Sequence, residues 1–136
     1  MLCPTIEDIA NLLAGDNILG VVRGRQEFGP RALGHRSLLA SPRNKRMRGR
    51  LNKLKRREWY RPVAPMVTHT SQRQLFTEPV SSPYMNFAAP LTDKACEMFP
   101  TICHYDQSAR PQTVTPQDDR WLHALLVAMA SRIGGR

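Results

Sequence analysis

Residues 24–37, Gly-Arg-Gln-Glu-Phe-Gly-Pro-Arg-Ala-Leu-Gly-His-Arg-Ser, constrain this chain more than any other stretch. Three glycines and a proline sit between two short apolar runs, so the backbone must leave regular structure there. Gly24, Gly29 and Gly34 allow a positive φ or a close approach to a ligand, and Pro30 fixes one turn. Arg25, Arg31 and Arg36 can each fork onto a phosphate or carboxylate. Glu27, the one acid among three arginines, is expected to orient a guanidinium. By composition the stretch is an anion cradle, although a solvated surface loop would have the same residues.

The flanks supply the frame. Thr5-Ile-Glu-Asp starts a helix, with Thr5 as N-cap, Ile6, Ile9, Ala10 and Leu13 at helical spacing and Gly15 as the stop. Residues 17–22 are an apolar, β-branched run too short for a helix, so they predict a buried strand that delivers the cradle at its end. Residues 37–40 predict a second strand in the same sheet. Residues 43–57 then read as a basic helix. Met47, Leu51 and Leu54 form its buried stripe, Asn52 and Lys55 flank the core side, and Arg46, Arg50 and Lys53 face water.

Pro62 and Pro65 confine the extended residues 58–67 to an edge or irregular strand. Thr70 or Ser71 can cap a short helix through Phe76. Residues 81–83 make a turn, 84–89 a strand, 90–100 a loop, and 102–105 and 112–114 two strands around a polar turn at 106–108. The acids at 118 and 119 open a last helix, whose stripe of Trp121, Leu122, Leu125, Leu126, Met129 and Ile133 runs to Gly134 and Gly135. A mixed order of this kind is α/β or α+β, and at 136 residues one domain is expected.

Twenty Lys and Arg against eleven Asp and Glu leave a net charge of +9, so the partner is anionic. Ten of the cations fall within the nineteen residues 43–61. No apolar run approaches the ~20 residues of a membrane span, and residues 1–8 lack the pattern of a secretory signal. A soluble, cytoplasmic protein is expected. Cys3, Cys96 and Cys103 are odd in number and form no Cys-x-x-Cys, so ordinary reduced thiols are expected. No fourth ligand completes Cys96, Cys103 and His104 as a metal site.

The cradle's wording, Glu-Phe-Gly-Pro-Arg-Ala-Leu-Gly-x-Arg-Ser at 27–37, resembles the signature of the C-terminal domain of the NodU/CmcH/TobZ carbamoyltransferases. The likeness continues through Ser-Pro-Arg at 41–43 and Leu-Asn-Lys-Leu-Lys-Arg-Arg-Glu-Trp-Tyr-Arg-Pro-Val-Ala-Pro at 51–65. It extends to Ser-Pro-Tyr-Met at 82–85 and His-Tyr-Asp-Gln-Ser-Ala-Arg-Pro-Gln-Thr-Val at 104–114. The resemblance implies a YrdC-like twisted mixed sheet with flanking helices. It also implies binding of carbamoyl phosphate and ATP with Mg2+ to form a carbamoyl-adenylate. Residues that contact the small hydroxyl acceptor, and an iron site, would lie in an actin-like ATPase-type N-terminal domain, which is expected to be missing from this chain.

Carried over position by position, Arg31, Lys55, Arg61 and Arg110 are the expected catalytic cations. Arg25, Glu27, Arg36, Asn52, Arg57, Glu58 and His104 are expected around the substrate, with Glu58 orienting an arginine and Asn52 or His104 meeting the carbamoyl amide or the nucleotide. Gln107 stands where the family has Gly, which is expected to reshape that turn. The family runs on past the position of residue 136, so a truncated piece is expected, with an incomplete sheet whose open edge invites self-association or a partner strand. Two other readings stand beside this one: an inert remnant acting through a partner chain, and a basic nucleic-acid module. The second is disfavoured because the few aromatics are not interleaved with the basic run.

Overall fold

The computed structural model describes residues 3–134. Helix α1 (Ile6–Ala14) opens on a capping box between Thr5 and Asp8 and buries Ala10 and Leu13. Strand β1 (Leu19–Val22) pairs antiparallel with β2 (Arg36–Leu39), in the register Leu19 opposite Leu39 and Val22 opposite Arg36. The cradle is the loop between them, and a bond from the Arg23 N–H to the His35 carbonyl (2.9 Å) continues the ladder to its base.

Helix α2 (Met47–Leu54) starts later than the basic run predicts. Asn44 Oδ1 accepts the Arg46 N–H at 2.9 Å, and this local turn competes with an earlier helical start. The predicted stripe holds at Met47 and Leu51. Leu54, at the end of the helix, is 58% exposed, while Asn52 is only 1% exposed.

Strand β3 (Met66–Thr68) pairs in parallel with β6 (Gln112–Val114). Helix α3 (Gln72–Leu75) follows Ser71, and β4 (Ala89–Pro90) pairs antiparallel with β5 (Ser108–Ala109). Of the strand predicted at 84–89 only Ala89 is in a ladder, because Met85 takes φ +56° and its N–H turns back to the Ser82 carbonyl. The predicted loop at 90–100 contains α4 (Asp93–Met98), capped by the Thr92 hydroxyl. Residues 102–105 are turn and coil instead of strand, since Cys103 is joined to Cys96 by a disulfide with the Cα atoms 5.3 Å apart. These two cysteines are therefore not the reduced thiols expected; Cys3 is free and exposed.

Helix α5 (Arg120–Ile133) is capped by Asp119 and buries Leu122, Leu125 and Met129. Gly134 lies at its C-terminal cap, and Gly135 lies outside the described residues. The architecture is α+β, with the sheet structure in three two-stranded ladders. The apolar residues form two clusters. One gathers Val67, Phe76, Leu91, Phe99 and Ile102; the other gathers Ala10, Leu13, Leu39, Leu125 and Met129. Among the described residues no helix is long and apolar enough to cross a membrane.

Candidate functional site

The cradle is held from inside by its own carboxylate. Glu27 Oε1 accepts the N–H groups of Leu33, His35 and Arg36 at 2.9, 2.7 and 3.1 Å. Glu27 thus fixes backbone, where a guanidinium partner was expected. Partial burial alone would raise its pKa, but the backbone donors outweigh burial and hold the carboxyl at about 2.

Two residues outside the predicted set tie the same segment down. Gln112 donates from Nε2 to the Leu33 carbonyl at 3.0 Å, and Ser37 Oγ accepts the Gly34 N–H at 2.9 Å. Gly34, at φ +100°, lies so close to α5 that a Cβ there would meet Leu122 Cδ2 at 2.8 Å. Arg23 anchors the base. It donates from Nε to the Gly34 carbonyl, pairs with Asp119 and lies over the Trp121 ring at 4.5 Å.

Between the cradle, the end of α2, the proline-bearing segment 62–64, residues 85–88 and the turn before β5 lies a hollow of about 530 Å³. Arg31, Lys55, Arg57, Arg61, His104 and Arg110 all line it, together with apolar walls from Leu38, Leu51, Val63 and Met66. The cations expected from four separated segments therefore converge. A neighbouring hollow of about 460 Å³ shares Pro30, Arg31, Met85 and Arg110 and adds Phe28, Tyr84 and Asn86. Among the described residues no carboxylate lines either one. A separate apolar cavity of about 300 Å³ between α3, α4, α5 and β3 has Lys94 as its one charged wall residue among those described.

The remaining predicted residues lie outside the walls. Asn52 is interior: its Nδ2 donates to the carbonyls of Trp59 (3.1 Å) and Arg61 (2.8 Å), and its Oδ1 accepts Arg57 Nη2 at 2.8 Å. It holds the Arg57 guanidinium and the backbone at Arg61, and at 1% exposure it does not face the hollow, where contact with the carbamoyl amide or the nucleotide was expected. Glu58 pairs with Arg61 at 2.6 Å, with both side chains about half exposed. Arg36 is exposed in β2 and reaches Gln26 at 3.4 Å; Arg25 is exposed on the cradle. Gln107 keeps φ +58°, so the turn retains the backbone that glycine favours.

Desolvation, and secondarily the Arg57 guanidinium, hold the Lys55 ammonium below the ordinary lysine range. Burial also pushes His104 down, against the pull of Asp106 and with help from Arg110 and Arg48. The Ser108 hydroxyl donates its one proton to Asp106 Oδ1 at 2.7 Å. Ser108 Oγ also lies 3.5 Å from His104 Nδ1, and His104 Nε2 is buried without a partner among the described residues.

The fold and site define an α+β domain that turns cations from distant segments onto one hollow. The chain belongs to the family described as carbamoyltransferase C-terminus, which matches residues 10–136. It is 38% identical over 128 residues to 3'-hydroxymethylcephem-O-carbamoyltransferase of Amycolatopsis lactamdurans, covering 94% of this chain and 24% of that protein. It is 38% identical over 129 residues to nodulation protein NolNO of Sinorhizobium fredii, covering 92% and 19%. Nodulation protein U of Bradyrhizobium diazoefficiens is 33% identical over 130 residues, covering 96% and 23%. The chain thus spans about a fifth to a quarter of the length of these relatives.

Proposed function

We propose that this chain is the activating part of a carbamoyltransferase, and that its hollow brings carbamoyl phosphate and ATP together to form a carbamoyl-adenylate. The observation that carries this reading is the convergence of Arg31, Lys55, Arg57, Arg61 and Arg110 on one cavity. Two polyanions repel strongly when they meet. Each pair of like charges at about 4 Å costs about 4 kcal/mol at the effective dielectric of a protein surface. Fixed cations already in place offset that repulsion without reorganising during the reaction. No general base is required, since positioning and charge stabilisation supply the catalysis.

The residues divide the work. Arg31 stands on the shared wall of the two hollows and spans both ligands. Arg57 and Arg61, held by Asn52 and Glu58, present pre-oriented forks to phosphate oxygens. Lys55, with its lowered pKa, supplies a compact charge beside them. His104, held below the ordinary histidine range by burial, adds a wall without charge between the cations, which suits a carbamoyl group better than a phosphate oxygen. With no carboxylate among the described wall residues, Mg2+ would be carried by the nucleotide's own phosphates. Residues that meet the hydroxyl acceptor, and an iron site, would belong to a part of such an enzyme outside this chain.

Isothermal titration of the purified chain with carbamoyl phosphate, and with ATP and Mg2+, tests this. Both are expected to bind, with Arg31→Ala and Arg110→Ala each weakening carbamoyl phosphate by about tenfold or more. A folded chain that takes up neither ligand overturns the reading.

A further inference from the structure

We propose that the Cys96–Cys103 disulfide is a thiol–disulfide exchange site for a dithiol reductant, and that its redox state sets how firmly the His104 wall of the hollow is held. Cys96 lies in α4, between Ala95 and Phe99 of one apolar cluster, and packs against that cluster itself. Cys103 directly precedes His104, which lines the hollow. The bond therefore places a wall residue one position from a covalent tie to the core.

Without that bond, residues 103–107 would be held by the packing of Cys103 on the apolar cluster and by hydrogen bonds, among them the Leu91 N–H to the Gln107 carbonyl at 2.8 Å. Arg48 Nη1 reaches the Cys103 carbonyl at 3.5 Å, the His104 N–H donates to the Ser108 carbonyl at 3.1 Å, and the Gln107 N–H donates to the His104 carbonyl at 3.0 Å. Both cysteines are only partly buried, so a reductant can reach them.

In the exchange, a dithiol's thiolate attacks one cysteine sulfur and the Cys96–Cys103 bond breaks. The freed cysteine thiolate takes up a proton. The second thiol of the dithiol then attacks the mixed disulfide, releasing the other cysteine and leaving the reductant as its own disulfide. Two electrons and two protons pass to the protein.

The consequence for ligands rests on the proposed function, so the test separates the two. The chain carrying Cys3→Ser is equilibrated with reduced and oxidised dithiothreitol at several ratios. Free thiols, the His104 imidazole NMR signals and the affinity for carbamoyl phosphate are then read. Reversible appearance of two thiols, displaced His104 signals and an affinity about fivefold weaker in the reduced form are expected, because a loosened wall is less pre-organised. Cys103→Ser should resemble the reduced form and ignore the reductant. A pair that does not exchange, or His104 signals identical in the two states, overturns the proposal. If neither state binds carbamoyl phosphate while the signals shift with the thiols, the exchange site stands and the proposed ligand falls.

Discussion

A single carboxylate inside the cradle makes the loop sensitive to acid. Glu27 titrates at about 2 in the folded chain, against an ordinary 4.5. Because the folded value is depressed, its stabilisation is fully present above pH 4.5 and is lost as pH falls toward 2. Urea midpoints between pH 6 and 2.5 should show this loss in the wild type and a shallower one in Glu27→Gln, which should also be less stable by about 1–2 kcal/mol at pH 6. Gln107 offers the opposite test. It holds φ +58° where a side chain is strained, so Gln107→Gly should gain about 0.5–1 kcal/mol, seen as a melting point a few degrees higher.

At the scale of elements, the interior amide of α2 organises half the site. Asn52→Ala would leave the Trp59 and Arg61 carbonyls short of a donor and Arg57 short of an acceptor. It should cost about 2–3 kcal/mol in chemical denaturation and weaken carbamoyl phosphate binding as well.

Asn52 also marks what periodicity could and could not reveal. Its place one residue after Leu51 was readable as the core side of the helix, but bonds to residues 59–61 depend on where the chain returns. α1 and α5 were legible because a cap and an apolar stripe agree in each. α4 carried only Thr92 and Asp93 as a start signal, in too short a stretch to show a stripe. The strand expected at 102–105 looked right by composition and was displaced by a covalent bond that spacing does not announce. The wall cations were visible in motif wording. Gln112 was not, because a polar residue in a strand gives no sign of which carbonyl it will meet.

For the whole molecule, the charge of +9 acts beyond the hollow. Solvent-exposed cations such as Arg31 and Arg110 are screened over about 8 Å at physiological ionic strength. ATP association measured by stopped flow should therefore slow several-fold between 50 and 500 mM salt, with a smaller change in the dissociation rate.

The two apolar clusters meet along a narrow seam. In β3, Met66 packs on one cluster and its neighbour Val67 belongs to the other, while Ile133 touches both. The same strand follows directly from the proline-bearing wall of the hollow. Met66, Val67 and Ile133 thereby couple the two halves through direct packing. A guest seated against residues 62–64 would damp both halves together, as a wedge quiets two leaves of one hinge.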